Sequence, residues 1–393
     1  MIPEFLFSST PHIHFGSGKH LVLKDLVETF GKKVLLVTGE SSFDDSDRCQ
    51  KLWQMLGQSL EVRRVKVSGE PSPQLVDKIV AEHHDFFADC VVALGGGSAV
   101  DAGKAIAGLL PSGDSVFEYL EGVGKGKAYQ GPSTPFIAVP TTAGTGGETS
   151  KNAVLSNIGD DGFKKSFRHE SLVAKHIILD PELTLDCPAD ITAACGMDAF
   201  TQLLESYVSL NANPVTDALA MSGLTYIRDC LVFAVEDGEN LDARAGMLYA
   251  SSISGLTLAN AGLGSVHGLA SPLGAFFPIP HGMVCGTLLF EASRINIQAL
   301  KERDSAHPAL QKYATIGRLF TQNYTMDDDA ARESLLGIIQ AWNGRFRMPL
   351  LSYYGVSELD VDRIVANSRG NSMQTNPVLL LDHEIAEIIR LRL

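Results

Sequence analysis

Long apolar runs, paired cysteines and a positive charge balance are all missing from this sequence of 393 residues. No uninterrupted apolar run reaches the ~20 residues that span a bilayer, so no membrane partner is expected. The opening residues lack a basic stretch followed by an apolar core and a small-residue cleavage site, and a cytoplasmic chain is the expectation. The six cysteines (Cys49, Cys90, Cys187, Cys195, Cys230 and Cys285) are scattered without a CxxC pair. That pattern fits reduced cytosolic thiols better than a disulfide framework. A net charge of −14 would repel a nucleic-acid backbone, which argues against a nucleic-acid partner. It leaves room for a phosphate-bearing cofactor held by backbone N–H groups. Internal repeats and low-complexity tracts are absent too. What is present is an apolar content of 45% with 20% charged residues, enough for a large core. The length suggests two domains or so.

The first half alternates between two textures. Lys33–Thr38, Cys90–Leu94 and Phe136–Val139 are short apolar or β-branched runs that read as strands, and Glu61–Val67 reads as another. Asp47–Leu60 and Gln74–Phe87 between them read as helices, and an extended segment over Phe5–Phe15 precedes them. Strands alternating with helices imply parallel βαβ units. The last strand-like run is Ile177-Ile178-Leu179, before Asp180-Pro181. Beyond it helical periodicity dominates, which places a domain boundary near Leu185, with units 1–185 and 186–393.

Two glycine-rich turns follow strands in the first unit. Gly95-Gly96-Gly97-Ser98 comes directly after Cys90–Leu94 and has the spacing GGGSxxDxxK, with Asp101 and Lys104. It is neither GxGxxG nor a P-loop. Three glycines let a backbone approach a ligand closely, and the next helix offers free N–H groups to a pyrophosphate; a plain tight turn is the competing reading. Pro140-Thr141-Thr142-Ala143-Gly144-Thr145-Gly146-Gly147-Glu148 is the second turn. In an open α/β sheet, ligands bind where such turns gather.

The second unit carries a carboxylate and two imidazoles in Gly196-Met197-Asp198-Ala199-Phe200-Thr201-Gln202, Ser265-Val266-His267-Gly268 and Pro280-His281-Gly282. Asp198 and Gln202 lie four apart in a helix-forming run, Ala193–Leu210, and share one face. Pro278 and Pro280 break the chain before His281, which can point back from a helix start. Single Asp or His residues in helices usually cap or hydrogen-bond. Together, oxygen and nitrogen donors of this mix suit Fe, Zn or Mn.

The motifs GGGSxxDxxK (95–104), PTTAGTGGE (140–148), DPEL (180–183), GMDAFTQLLESY (196–207) and GSVHGLASPLGAFFPIPHG (264–282) occur in this order. Over essentially the whole chain the sequence resembles the iron-containing (group III) alcohol dehydrogenases. The resemblance implies an α/β N-terminal Rossmann-like domain plus an all-α C-terminal domain, the dehydroquinate synthase-like fold, with the site in the cleft between. It implies an NAD(P)-dependent alcohol dehydrogenase (EC 1.1.1.-) interconverting a primary or secondary alcohol and its aldehyde or ketone, and a homodimer.

Carried over by position, the resemblance makes Asp198, His267 and His281 metal ligands and catalytic residues, with Gln202 in the place of a fourth ligand that the family fills with His. A further family His near the nicotinamide is replaced by Ser271. Gln202 offers a neutral oxygen, so iron affinity is expected to drop. Three strong ligands plus water resemble the zinc sites of the glycerol dehydrogenase branch, yet Gly146 stands where that branch carries an acidic residue. Fe and Zn both remain open. The cofactor positions are Gly39, Glu40, Ser72, Gly95, Gly96, Gly97, Ser98, Asp101, Thr141, Thr142, Thr145, Asn152, Val154, Lys164 and Ile191; a solvated surface charge is the other reading of Lys164. Relatives carry a ribose-binding Asp where Gly39 stands. Its loss admits NADP, while Glu40 beside it favours NAD. A dehydroquinate-synthase-like cyclase and a catalytically weakened cofactor-binding protein are the alternative functions.

Overall fold

The computed structural model describes residues 4–393. Among them, strands are confined to the first half: β1 (His12–Phe15), β2 (Lys33–Gly39), β3 (Glu61–Val67), β4 (Cys90–Gly95), β5 (Phe136–Pro140), β6 (Asn152–Asn157), β7 (Phe163–Arg168) and β8 (His176–Leu179). Helices α1 (Leu23–Glu28), α2 (Asp47–Gly57), α3 (Pro73–His83) and α4 (Gly97–Leu109) alternate with them. The rest is helical: α5 (Ala189–Val208), α6 (Pro214–Glu236), α7 (Leu241–Ala261), α8 (Ser265–Phe276), α9 (His281–Arg303), α10 (Pro308–Thr321), α11 (Asp328–Arg345), α12 (Val361–Asn367), α13 (Asn371–Gln374) and α14 (Asp382–Arg390). An α/β domain is followed by a helical one.

Six strands form one parallel sheet in the order β1-β8-β5-β4-β2-β3. Its centre is covered on both faces. Leu35, Val37, Val91 and Ala93 pack with residues of α3 and α4, while Val34, Leu36, Val92 and Leu94 pack with residues of α1 and α2. That double burial explains the continuous apolar runs of β2, β4 and β5. From β2 the chain runs outward to β3, then returns to the other flank of β2 as β4. The winding therefore reverses between β2 and β4, and their carboxyl ends open a crevice of the kind that holds ligands in doubly wound sheets.

Several boundaries differ from the sequence reading. Of the extended segment, only His12–Phe15 is strand. The second helix ends at Gly57, and the third gives way after His83 to a single 3-10 turn. The fourth strand runs through Gly95, and the helix carrying Asp198 begins at Ala189. The antiparallel pair β6–β7 lies outside the main sheet. Its segments, NAVLSN and FKKSFR, contain no apolar run longer than Ala153-Val154-Leu155; Ala153, Leu155 and Phe167 point inward. The pair packs against both α4 and α8 and so touches both domains.

Helix α6 is long and apolar enough by length and composition to cross a bilayer, although Asp217, Arg228 and Asp229 interrupt its apolar residues. Here it lies along α5 and α7, with Ala220, Leu224, Ile227, Leu231 and Ala234 in the helical core.

The loop after β5 joins the halves at backbone distance. Gly146 has φ +60°, and a Cβ there would stand 2.4 Å from the Ser251 carbonyl oxygen and 2.5 Å from the Gly255 nitrogen, both on α7. A Cβ at Gly144 would stand 2.9 Å from that of Cys195 on α5. An acidic side chain at position 146 has no room in this loop. We predict that Gly146→Ala lowers the apparent melting temperature by several degrees, because an unfavourable φ and a backbone clash together cost about 3 kcal/mol or more. Exposed Gly337, inside α11 with no atom within 4 Å of an added Cβ, should respond oppositely, Gly337→Ala stabilising by about 0.5–1 kcal/mol. Equal shifts in a thermal denaturation series would contradict this account of the loop.

Candidate active site

Several cofactor candidates converge on the crevice between β2 and β4. Gly96 is the N-cap of α4 with no side-chain cap, so the first N–H groups of this helix of 13 residues face outward. The Thr141 N–H donates to the Gly95 carbonyl at 3.0 Å, which ties the two glycine-rich turns together. A Cβ on Gly95 would lie 3.3 Å from the Gly39 nitrogen across the switch and 2.9 Å from the Ala99 Cβ. One on Gly97 would lie 3.1 Å from Thr145 Oγ1. Gly96 differs: its φ is −72°, and a Cβ would make only ordinary contact, 3.4 Å from Thr142. Internal packing therefore does not demand glycine at 96, whereas close approach of a pyrophosphate to that backbone would. Ser98, Thr141, Thr142 and Thr145 are partly exposed around this turn.

Asp101 and Lys104 lie beneath it. Lys104 Nζ is wholly buried and donates to the carbonyls of Gly147 (2.5 Å) and Asn152 (2.7 Å), fastening the second turn to α4. Burial pulls its pKa down to about 8, with Asp101 and Glu148 opposing. Burial pushes the Asp101 carboxyl up to about 7 against the pull of Lys104 and the Val154 N–H. Asn152 and Val154 sit two apart on β6, both partly exposed on one side.

Other expected positions lie at the margin. Ser72 uses its hydroxyl to cap α3, accepting from the Leu75 N–H at 3.2 Å. Glu40 is exposed beyond β2, and Ile191 is 41% exposed on the first turn of α5. Lys164, on β7, is no solvated surface charge: its ammonium pairs with Glu70 at 3.0 Å with 11% of its side chain exposed.

The second cluster lies in the helical domain. Asp198 (α5), His267 (α8) and His281 (first residue of α9) converge. His267 Nε2 is 3.3 Å and His281 Nε2 3.7 Å from Asp198 Oδ1. Pro280 precedes α9, so His281 leaves the helix at its first turn, as the sequence reading expected. Burial works against the Asp198 charge, but His281 and His267 bring its pKa down to about 2. Burial lowers His281 to about 4, aided by Lys164 and His267 against Asp198 and Glu70; its imidazole is neutral at physiological pH. His267 is raised instead: burial would lower it, but the Cys285 sulfur and the Asp198 and Glu205 carboxylates outweigh burial.

Two members of this cluster escaped the sequence reading. Glu205 binds His267 Nδ1 through Oε2 at 2.7 Å and the Val266 N–H through Oε1 at 2.7 Å. Its signal was present, seven residues after Asp198 on the same helix face. Cys285 Sγ lies 3.6 Å from His267 Nε2 and 3.8 Å from His281 Nε2. Its signal was the four-residue step from His281. Asp198, His267, His281 and Cys285 each offer one donor atom, all within 4.8 Å of one another.

Gln202 departs from its expected place. Its Nε2 donates to the Thr145 carbonyl at 3.1 Å and its Oε1 accepts from Ser254 Oγ at 3.1 Å, so the amide is engaged at both ends with the loop and α7. Ser271 donates weakly to the Lys164 carbonyl at 3.4 Å.

A reversing α/β sheet with a glycine-cradled helix N-terminus, facing a helical domain that presents a carboxylate and two imidazoles, defines a class of nucleotide-linked, metal-binding oxidoreductases. The family descriptions agree: "Iron-containing alcohol dehydrogenase" matches residues 10–181, and "Fe-containing alcohol dehydrogenase family, C-terminal" matches 192–393. The chain belongs to the iron-containing alcohol dehydrogenase family. It is 30% identical to alcohol dehydrogenase 4 of Saccharomyces cerevisiae (strain YJM789) over 98% of this chain and 97% of that protein. Among solved structures, a 1,3-propanediol oxidoreductase superposes with TM-score 0.89 at 30% identity, covering 100% of each chain. A sulfoacetaldehyde reductase from Bifidobacterium kashiwanohense, solved with NAD+, superposes with TM-score 0.83 at 29% identity, covering 99% of each.

We predict that Gly96→Ala weakens binding of NAD by about tenfold or more while leaving the melting temperature within a degree or two, since the added methyl meets only Thr142 at ordinary contact distance. Fluorescence titration of the cofactor checks this; unchanged affinity would remove the turn from the cofactor site.

Proposed function

We propose that this chain is an NAD-linked, metal-dependent alcohol dehydrogenase that converts an alcohol and NAD+ to the aldehyde or ketone, NADH and a proton, and runs in reverse. The observation that carries the reading is the convergence of Asp198, His267 and His281, with Glu205 fixing the His267 ring so that Nε2 faces the carboxylate. The donor set fits a divalent ion: one carboxylate oxygen and two imidazole nitrogens, with His281 Nδ1 buried without a partner and Nε2 held by no short contact. When bound, such an ion supplies Lewis-acid polarisation of the alcohol or carbonyl oxygen, and the nicotinamide supplies hydride exchange.

The chain's own residues supply position and electrostatics. The Gly95–Ser98 turn and the start of α4 receive the pyrophosphate, with Thr141, Thr142 and Thr145 beside it. Gly39 and Glu40 flank the adenosine ribose; Glu40 favours NAD, and the missing Asp leaves NADP admissible. Asn152, Val154 and Lys164 line the nicotinamide side, where Glu70 holds the Lys164 ammonium in place. Glu70 titrates below its ordinary value because Lys164 and His281 outweigh its burial. Ser271 has no acid–base function near neutral pH, so the proton leaves by water or ribose hydroxyls. The two domains meet near Leu185, between the end of β8 and the start of α5.

A homodimer fits the sheet's edge. Among the described residues β1 pairs only with β8, and Ile13 (45% exposed) and Phe15 (41%) stand on that edge. An unpaired edge strand with apolar side chains is a ready site for a second copy. The free thiols suit a cytoplasmic setting.

The test is metal content and turnover together. His281→Ala should lose most of its bound metal and at least a hundredfold in kcat/KM for simple primary alcohols. Full metal content with full activity would overturn the assignment. Tight NAD binding without turnover across alcohols and added metals would instead favour a cofactor-binding protein.

A further inference from the structure

The proposed metal site rests on three donors, and the residue in the fourth family position is turned elsewhere. The Gln202 amide donates to the Thr145 carbonyl and accepts from Ser254, so swinging it to the cluster would break two buried hydrogen bonds. Leaving such buried partners unsatisfied is costly. Helix α9 brings another donor to the cluster. Cys285 stands one helical turn after His281, on the same face, and is wholly buried.

Building on the metal-site reading above, we propose that Cys285 is the fourth protein ligand of the metal, taking the role that the sequence position assigns to Gln202, that the substrate oxygen enters as a fifth ligand, and that the site is therefore a thiophilic, zinc-type centre. The donor separations carry the argument. For Zn–N and Zn–O bonds of ~2.0–2.1 Å and a Zn–S bond of ~2.3 Å, tetrahedral ligands stand about 3.3 Å apart for N and O and about 3.5 Å apart for S and N. The corresponding distances are 3.3 Å (His267 Nε2 to Asp198 Oδ1), 3.7 Å (His281 Nε2 to Asp198 Oδ1), 3.6 Å (Cys285 Sγ to His267 Nε2) and 3.8 Å (Cys285 Sγ to His281 Nε2). Four of the six separations among these donors from three helices thus match the edges of one tetrahedron, and all six lie within 4.8 Å. None is anchored elsewhere except through the atom that orients it, as Glu205 does for His267 Nδ1.

Without an ion a cysteine side chain such as Cys285 is a neutral thiol near neutral pH. On binding, the S–H bond breaks, a metal–thiolate bond forms, and the proton leaves to solvent. A coordinated thiol is deprotonated outright by the ion's charge. A soft sulfur ligand shifts preference from iron(II), which accepts harder donors, toward zinc.

Cobalt(II) is the probe, because thiolate ligation gives it a near-ultraviolet charge-transfer band separate from its visible ligand-field bands. Apoprotein of the full chain is loaded with cobalt(II), alongside Cys285→Ser and Gln202→Ala. The expected result is both band sets in wild type and in Gln202→Ala. Cys285→Ser should keep visible bands from the remaining ligands, lose the near-ultraviolet band, and bind zinc at least tenfold more weakly in chelator competition. Far-ultraviolet circular dichroism checks its fold; if it fails to fold, the wild-type spectrum alone decides. Wild type with visible bands and no charge-transfer band would overturn the cysteine ligand and leave the metal site standing, as would a charge-transfer band that persists in Cys285→Ser. Absence of every cobalt band in wild type would overturn the metal-site reading itself.

Discussion

His267 is held between two carboxylates, Glu205 on one ring nitrogen and Asp198 on the other, in a pocket from which water is nearly excluded. Burying a carboxylate pair around one imidazole is costly unless every charge is paired. That constraint explains much of the surrounding helix packing. Asp198 and Glu205 must project from the same face of α5, and α8 must begin at Ser265 so that Glu205 also takes the free Val266 N–H. The Asn376 side chain takes the Ser265 N–H in the same way, which fixes the start of α8 from the C-terminal end of the chain.

The cluster is useful to a nucleotide cofactor only if it faces the sheet, and two devices hold it there. One is the loop after β5, which lies against α5 and α7 because Gly144 and Gly146 have no side chains. The same loop presents Thr142 and Thr145 to the glycine turn before α4, and its Thr145 carbonyl takes the Gln202 amide. The other is the β6–β7 pair, whose Lys164 stands beside Ser271 and Gly274 of α8 while pairing with Glu70. Gln202 therefore acts structurally, tying the phosphate-side loop to the helix that carries Asp198.

Most of the sheet was legible because buried parallel strands write themselves as short apolar runs, where β2, β4, β5 and β8 stand; β3, at the sheet's edge, is EVRRVKV and carries only isolated valines. The β6–β7 pair was not, since strands lying across a helix need only alternate residues apolar, and FKKSFR gives almost no such signal. Asp198, His267 and His281 could be picked out because glycine or proline stands close to each in the sequence, and both histidines lie in the first turns of their helices. Glu205 and Cys285 were less visible. A buried glutamate inside an apolar helix, or a cysteine one turn into another, gains meaning only when tertiary packing shows what lies opposite. The hydrogen bonds of Gln202 were hidden for the same reason: a shared helix face fixes a direction, but which of two neighbours an amide turns to is decided by the helix packed against it.

The central claim is that one divalent ion sits among donors from α5, α8 and α9. Anomalous diffraction at the metal's absorption edge, from crystals of protein purified without chelator, addresses it most directly. The account predicts a single strong peak about 2.0–2.3 Å from Asp198, His267 Nε2, His281 Nε2 and Cys285 Sγ. A peak bonded to the Gln202 oxygen and away from Cys285, or no peak in this pocket, would contradict it.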